Sequence, residues 1–387
     1  MAVDATLGLT ALVEALHARV ARTPVRLAGP AGSAVEGVTG HVYRAIRGVT
    51  RTVGASLDAV LARLVPLVDD VADTPSREAL VAALNGVLGD YLAESTNPLA
   101  IPMRFRLGGV ALEPARGALE HAVAGPSATL IVAVHGLCMG ERQWARPGHD
   151  HRVALARDLR ATVVSLHYNS GLHVSTNGRE LATRLEALVA AWPVPVARLV
   201  IVGYSMGGLV ARSAAHYGAR AGHRWPGVLG DLVFLGTPHH GSPLERGGHA
   251  IDVLLEAVPY AAPFARLGRV RSAGITDLRH GSVVDDDWSG RDRFARRAYV
   301  RHPIPLPAGV ACHAIAGSLA TVVGADLRGL RGDGFVTVAS ALGRHRNPRF
   351  DLDVPESKRF VAASTGHVAL LASAAAAEQM RAWLRRA

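Results

Sequence analysis

Between residues 128 and 315 the sequence repeats one pattern: a short, almost unbroken apolar run, then a longer stretch with apolar residues at helical spacing. The apolar runs fall at 128–134, 161–166, 198–202, 231–235 and 310–315. They lack the polar alternate positions of a half-solvated strand, so both faces of each strand must be covered. The segments 151–159, 178–192 and 207–217 supply helices to do so. Strand and helix in alternation predict an α/β chain, a mostly parallel sheet with helices on both faces.

Around this core the sequence divides further. Residues 1–98 read as a helical region of unassigned role, with helical spacing at Leu9, Leu12, Val13 and Leu16, again over 42–65, and a third helix predicted over 77–92. Arg44, Arg47 and Arg51 flank an apolar face there, so peripheral contact with a membrane is one reading of these helices. Residues 99–127 form a connecting segment, and 128–387 the α/β domain. Within it, 242–305 interrupts the strand–helix rhythm and is expected to form a lid or cap.

Composition narrows the partners. The net charge of +10 is carried almost wholly by arginine, Lys358 being the only lysine. These arginines are dispersed, without the aromatic–basic stripe of a nucleic-acid surface, so no nucleic-acid partner is expected. Cys138 and Cys312 adjoin apolar runs and read as small buried hydrophobes. The first twenty residues lack a basic start and an unbroken apolar stretch, and no segment is long and apolar enough to span a bilayer, so a cytoplasmic protein is expected. His149-Asp150-His151 reads as a solvated helix start and Asp285-Asp286-Asp287 as a charged loop; no metal and no cofactor are expected.

The chemistry is concentrated after the third apolar run, where the chain reads Gly203-Tyr204-Ser205-Met206-Gly207-Gly208 and enters a helix. This is G-x-S-x-G between strand and helix, a sharp turn that lifts a serine hydroxyl above the sheet edge. Glycine is needed where strand and helix backbones approach too closely for a Cβ. The helix amino terminus behind Ser205 favours negative charge there. A serine hydroxyl also needs a base, and the base an orienting acid, which in this fold follow in the order Ser, Asp or Glu, His. His367, in Thr365-Gly366-His367 after a last apolar strand, is the preferred base, with His345 and His313 as rivals. Asp333, in the loop Gly332-Asp333-Gly334-Phe335, is the preferred acid, with Asp326, Asp351 and Asp353 as alternatives. Oxyanion donors are expected from the backbone of Met206, after the nucleophile, and of Leu137, in the loop His135-Gly136-Leu137-Cys138. His135 would hold that loop, and His239 and His240 are candidates for lining the pocket.

With these residues in view, the chain resembles the bacterial lipase and PGAP1-like esterase branch of the α/β hydrolases. His135-Gly136-Leu137, Gly203 to Gly208, Leu235-Gly236-Thr237-Pro238-His239-His240-Gly241-Ser242 and Asp333-Gly334-Phe335-Val336 carry the likeness, together with Tyr168-Asn169-Ser170-Gly171 and Asn177-Gly178-Arg179. The resemblance implies the α/β-hydrolase fold and hydrolysis of carboxylic esters, small-molecule or lipid, through an acyl-enzyme. Ser205, Asp333 and His367 align with its triad, and Leu137 and Met206 with its oxyanion positions. Lipases of this group often carry an acidic calcium ligand just after the catalytic histidine; here Val368 and Ala369 follow, so no metal is implied. An acyltransferase or a thioesterase would use the same three residues.

Overall fold

The computed structural model describes residues 75–242, 272–290, 301–321 and 332–385. The helices expected before residue 75, with Arg44, Arg47 and Arg51, lie outside these residues, as does most of the interruption at 242–305.

Ten strands are described: β1 (Arg104–Leu107), β2 (Val110–Leu112), β3 (Thr129–Val134), β4 (Ala145–Arg146), β5 (His149–Asp150), β6 (Thr162–His167), β7 (Arg198–Tyr204), β8 (Leu229–Leu235), β9 (Ala311–Gly317) and β10 (Arg359–Ala362). Eight of them form one sheet in the order β10-β9-β8-β7-β3-β6-β1-β2. The six from β10 to β6 run parallel, and β1 and β2 add an antiparallel edge. All five predicted apolar runs are strands of the parallel part. Their residues are almost wholly buried, as strands covered on both faces must be.

The helices are α1 (Pro75–Glu94), α2 (Arg116–Ala122), α3 (His151–Leu159), α4 (Val174–Ala191), α5 (Met206–Arg220), α6 (Ala273–His280), α7 (Val338–Ala341) and α8 (Ala374–Leu384). From β3 the chain steps through α3 to β6 on one side; from β6 it returns through α4 to β7 and onward through α5 to β8. Right-handed crossovers in opposite directions place α3 on one face and α4 with α5 on the other. Their packing agrees, α4 against α5 and α3 against α8. The reversal leaves a crevice outside the carboxyl ends of β3 and β7, where open α/β sheets bind ligands.

Three regions add detail to the sequence reading. The 99–127 segment contains β1 and β2, joined through Gly108 and Gly109 at φ 57° and 91°, the two-residue turn that matches strand twist. Helix α1 is built into the α/β body. A Cβ on Gly86 would stand 2.1 Å from Cys138 Sγ, and one on Gly89 1.9 Å from Asn169 Oδ1, so the helix lies directly on the loops following β3 and β6. Asn85 fixes the exit from this helix, donating to Leu99 O at 2.7 Å and accepting from Ile101 N–H at 2.9 Å.

Residues 272–290, the described centre of the interruption, are fastened to the same body. Asp277 of α6 accepts the Val174 N–H at 2.8 Å and the His173 ring at 3.0 Å, capping α4. His173 stacks on Trp288, and Ser213 of α5 donates to Val283 O at 2.6 Å. Asp285 accepts from Ser175 and pairs with Arg179, and Asp287 accepts the N–H groups of Val283 and Val284, so two of the three acidic side chains are occupied with protein partners. Among the described residues no three His, Cys, Asp or Glu side chains are grouped to hold a metal ion, and no helix is long and apolar enough to cross a membrane.

Candidate active site

Strand β7 ends at Tyr204, and α5 begins at Met206 with Ser205 as its N-cap residue. Ser205 has φ 52° and ψ −121°, a conformation that costs a residue with a Cβ about 1–3 kcal/mol and persists only where its surroundings impose it. Those surroundings are visible. The Ser205 N–H donates to Leu235 O at 2.9 Å. A Cβ on Gly203 would lie 2.5 Å from Gly208 Cα, and one on Gly207 2.2 Å from Val134 O. Strand, turn and helix therefore interlock only with glycine at both positions.

The candidate base and acid come from the far end of the sheet. Asp333 follows β9 and precedes α7, and its Oδ1 accepts the N–H groups of Phe335 at 3.0 Å and Val336 at 2.7 Å. Its Oδ2 meets His367 Nδ1 at 2.7 Å. A carboxylate can only accept, so Nδ1 carries the proton and Nε2 is left as an acceptor. Nε2 lies 2.9 Å from Ser205 Oγ, in line to receive its proton. Ser205, Asp333 and His367 are each buried. The histidine backbone is fixed as well: His367 N–H donates to Asp333 O at 2.9 Å, and the Tyr204 hydroxyl donates to His367 O at 3.1 Å.

The loop after β3 lies against this serine. A Cβ on Gly136 would be 3.1 Å from Ser205 Cβ and 3.2 Å from the Tyr204 ring, so the backbone that leads into Leu137 runs beside the nucleophile. The Cys138 N–H donates to Ser170 Oγ at 3.0 Å, with Cys138 at φ 59°. The Tyr168 hydroxyl donates to His135 O at 2.8 Å, and the two rings stack. His135 is fully buried, and burial chiefly, with the nearby His167 and Arg106, lowers its pKa to about 3, so it is a neutral wall of the loop. Burial likewise raises the Cys138 thiol well above its ordinary range, leaving it a packing group.

The remaining candidates are elsewhere. His345 is exposed and bonded within its own turn, with Asp351 accepting its N–H at 2.8 Å. Asp353 is exposed, and Asp326 lies outside the described residues. His313 faces Asp231, at 3.0 Å. His239 and His240 line a cavity of about 130 Å³ whose lining does not include Ser205, Asp333 or His367. His151 is buried and bonded to Leu370 O at 2.9 Å, which corrects its reading as solvated, although Asp150 does cap the helix, accepting from Arg152 N–H. The sequence reading missed the hydroxyl of Tyr204 and the buttress formed by Tyr168 and Ser170; their presence in the resembling motifs was the available signal.

The chain is similar in part to known proteins. The family model described as a PGAP1-like alpha/beta domain matches residues 127–301. No curated protein matches the chain. Among solved structures, the mature lipase BlEst2 of Bacillus licheniformis shares 20% identity, covering 62% of this chain and 85% of its own at a TM-score of 0.39. A hyperthermophilic esterase from Pyrobaculum calidifontis shares 13%, covering 84% and 95% at 0.42. A lipase-esterase related protein from Clostridium acetobutylicum shares 12%, covering 67% and 95% at 0.35. The sheet order and the strand–turn–helix give the chain an α/β-hydrolase fold, and within it residues 127–301 are similar to the PGAP1-like alpha/beta domain.

Proposed function

We propose that this protein is a serine carboxylic-ester hydrolase that works through an acyl-enzyme. The observation that carries the reading is the unbroken relay from Asp333 Oδ2 through His367 to Ser205 Oγ, with spacings of 2.7 and 2.9 Å, on a residue held at positive φ.

His367 Nε2 takes the hydroxyl proton as Ser205 Oγ attacks the ester carbonyl. Asp333 keeps the proton on Nδ1 and stabilises the imidazolium that forms. Backbone N–H groups of Met206 and Leu137 receive the charge developing on the carbonyl oxygen; one such donor is worth about 3–4 kcal/mol of barrier. The tetrahedral species collapses as His367 returns its proton to the leaving alkoxide, which departs as the alcohol. Water, deprotonated by the same histidine, then attacks the acyl-serine, and the carboxylic acid leaves.

The test is hydrolysis of short- and long-chain p-nitrophenyl esters by wild type and Ser205→Ala, with labelling by a fluorophosphonate probe. Wild type should label once and turn over. The variant should stay unlabelled and lose at least about three orders of magnitude in kcat. Equal turnover by both proteins would end the proposal.

A further inference from the structure

The cavity beside His239 is cationic, and its hydrogen bonds do not close. Arg212 of α5 is buried to 6% exposure; it donates to His239 Nδ1 at 3.3 Å and to Ile304 O at 2.9 Å, and no side chain accepts from its Nε among the described residues. A guanidinium has no acceptor atom, so His239 must accept at Nδ1 and, when neutral, carry its proton on Nε2. That Nε2 is buried and equally without an acceptor. Both unmatched groups are thus donors. Arg301, which donates to His239 O and His280 O, and Arg349 also line the cavity, and among the described lining residues the one carboxylate, Asp351, is exposed and accepts the His345 N–H. Burial, with Arg301 as cationic neighbour, lowers Arg212 to about 10; burial and Arg212 hold His239 well below the ordinary imidazole range. Asp287 acts on Arg212 only through space, without a hydrogen bond, and a buried donor left with no acceptor is costly unless something supplies one.

We infer that this cavity binds a small organic carboxylate, its head group on Arg212 and His239 and its apolar body against Val283, Ile304, Phe350 and Leu352. The volume of about 130 Å³ is roughly tenfold what a single water needs, which leaves room for a few carbons behind the head group. Those four side chains set the choice of a carboxylate over an inorganic oxyanion, because they offer nothing to a ligand that is polar all round. The site is independent of the proposed triad, none of whose residues lines it.

Calorimetric titration of the full chain with hexanoate tests it, with 1-hexanol and inorganic phosphate as the other arms. Hexanoate should bind at one site, more tightly than either control. Arg212→Gln and Arg301→Gln should each weaken it about tenfold, as expected for loss of one charge-assisted contact. If Arg212→Gln does not fold, Arg301→Gln and the wild-type comparison decide the matter. Absence of hexanoate binding, 1-hexanol or phosphate binding as tightly, or an affinity unchanged in the folded variants would each overturn the site. An unchanged affinity would place hexanoate elsewhere, such as at the triad.

Discussion

The sheet holds two buried histidine–aspartate couples with nearly the same spacing and opposite meaning. His367 and Asp333 meet at 2.7 Å, and His313 and Asp231 at 3.0 Å. The first pair sits on loops beyond β9 and β10, and the free nitrogen of His367 addresses a hydroxyl. The second sits within β8 and β9; Arg198 shares the carboxylate of Asp231 at 2.6 Å, and Trp383 stacks on the imidazole. Burial pushes Asp231 up, but the hydrogen bonds from His313 and Arg198 outweigh it and hold its pKa below the ordinary carboxylate value. Arg198 also donates to Leu384 O at 2.8 Å, tying the end of α8 to the start of the nucleophile strand. A carboxylate orienting an imidazole is therefore not in itself a catalytic device. On the proposed mechanism the third partner decides: a hydroxyl would make one couple reactive, whereas an arginine makes the other a clasp.

The contrast is sharpest in the matched asparagine variants. Asp333→Asn should lower kcat/KM on a p-nitrophenyl ester by about ten-thousandfold, by releasing the tautomer, whereas Asp231→Asn should leave it within about threefold. Comparable losses from the two would erase the distinction. Next in size, Asp231→Ala leaves the partly buried Arg198 without its counter-charge and should cost about 2–4 kcal/mol in urea unfolding. A loss below 1 kcal/mol, on the scale of an exposed pair, would show that the clasp carries no load.

Histidines without a carboxylate extend the comparison to pH. Burial lowers His135 and His167 to about 3, and His151 to about 4. Their folded values lie below the unfolded value near 6.5, so the unfolded chain takes up protons first as pH falls below that point. Stability should decline from about pH 6.5 downward, each group contributing at most about 1.4 kcal/mol per pH unit until its folded value is reached. Urea midpoints that stay level between pH 7 and 5 would contradict this. The smallest effect is expected from Tyr204→Phe, which removes the hydrogen bond to His367 O. About 1 kcal/mol of transition-state stabilisation should go, read as a severalfold fall in kcat/KM with the variant still labelled by a fluorophosphonate.

The parallel strands were legible because burial on both faces leaves few polar positions in their sequence, such as Asp231 and His313. The nucleophile turn was legible because Gly203 and Gly207 answer a steric demand, and Asp333 and His367 because chain order leaves few partners for Ser205. The β1–β2 hairpin was not, since Arg104 and Arg106 interrupt its short strands and only Gly108-Gly109 hints at the turn. The course of His239 and His240 depends on Gly236 and Gly241, at φ 62° and 78°, which redirect the chain after β8 in a way no local pattern foretells. Arg212 lay on a predicted helix, but nothing in a single sequence says that its charge is buried.

The hydroxyl and the imidazole that meet at 2.9 Å are 162 residues apart in the chain. A polypeptide still emerging from the ribosome would already contain its serine turn, yet the proton acceptor would arrive only with the closing strand and helix. On the proposed mechanism, hydrolytic competence would then begin only after the strand and helix around His367 have been made, and its first appearance would time the completion of the sheet.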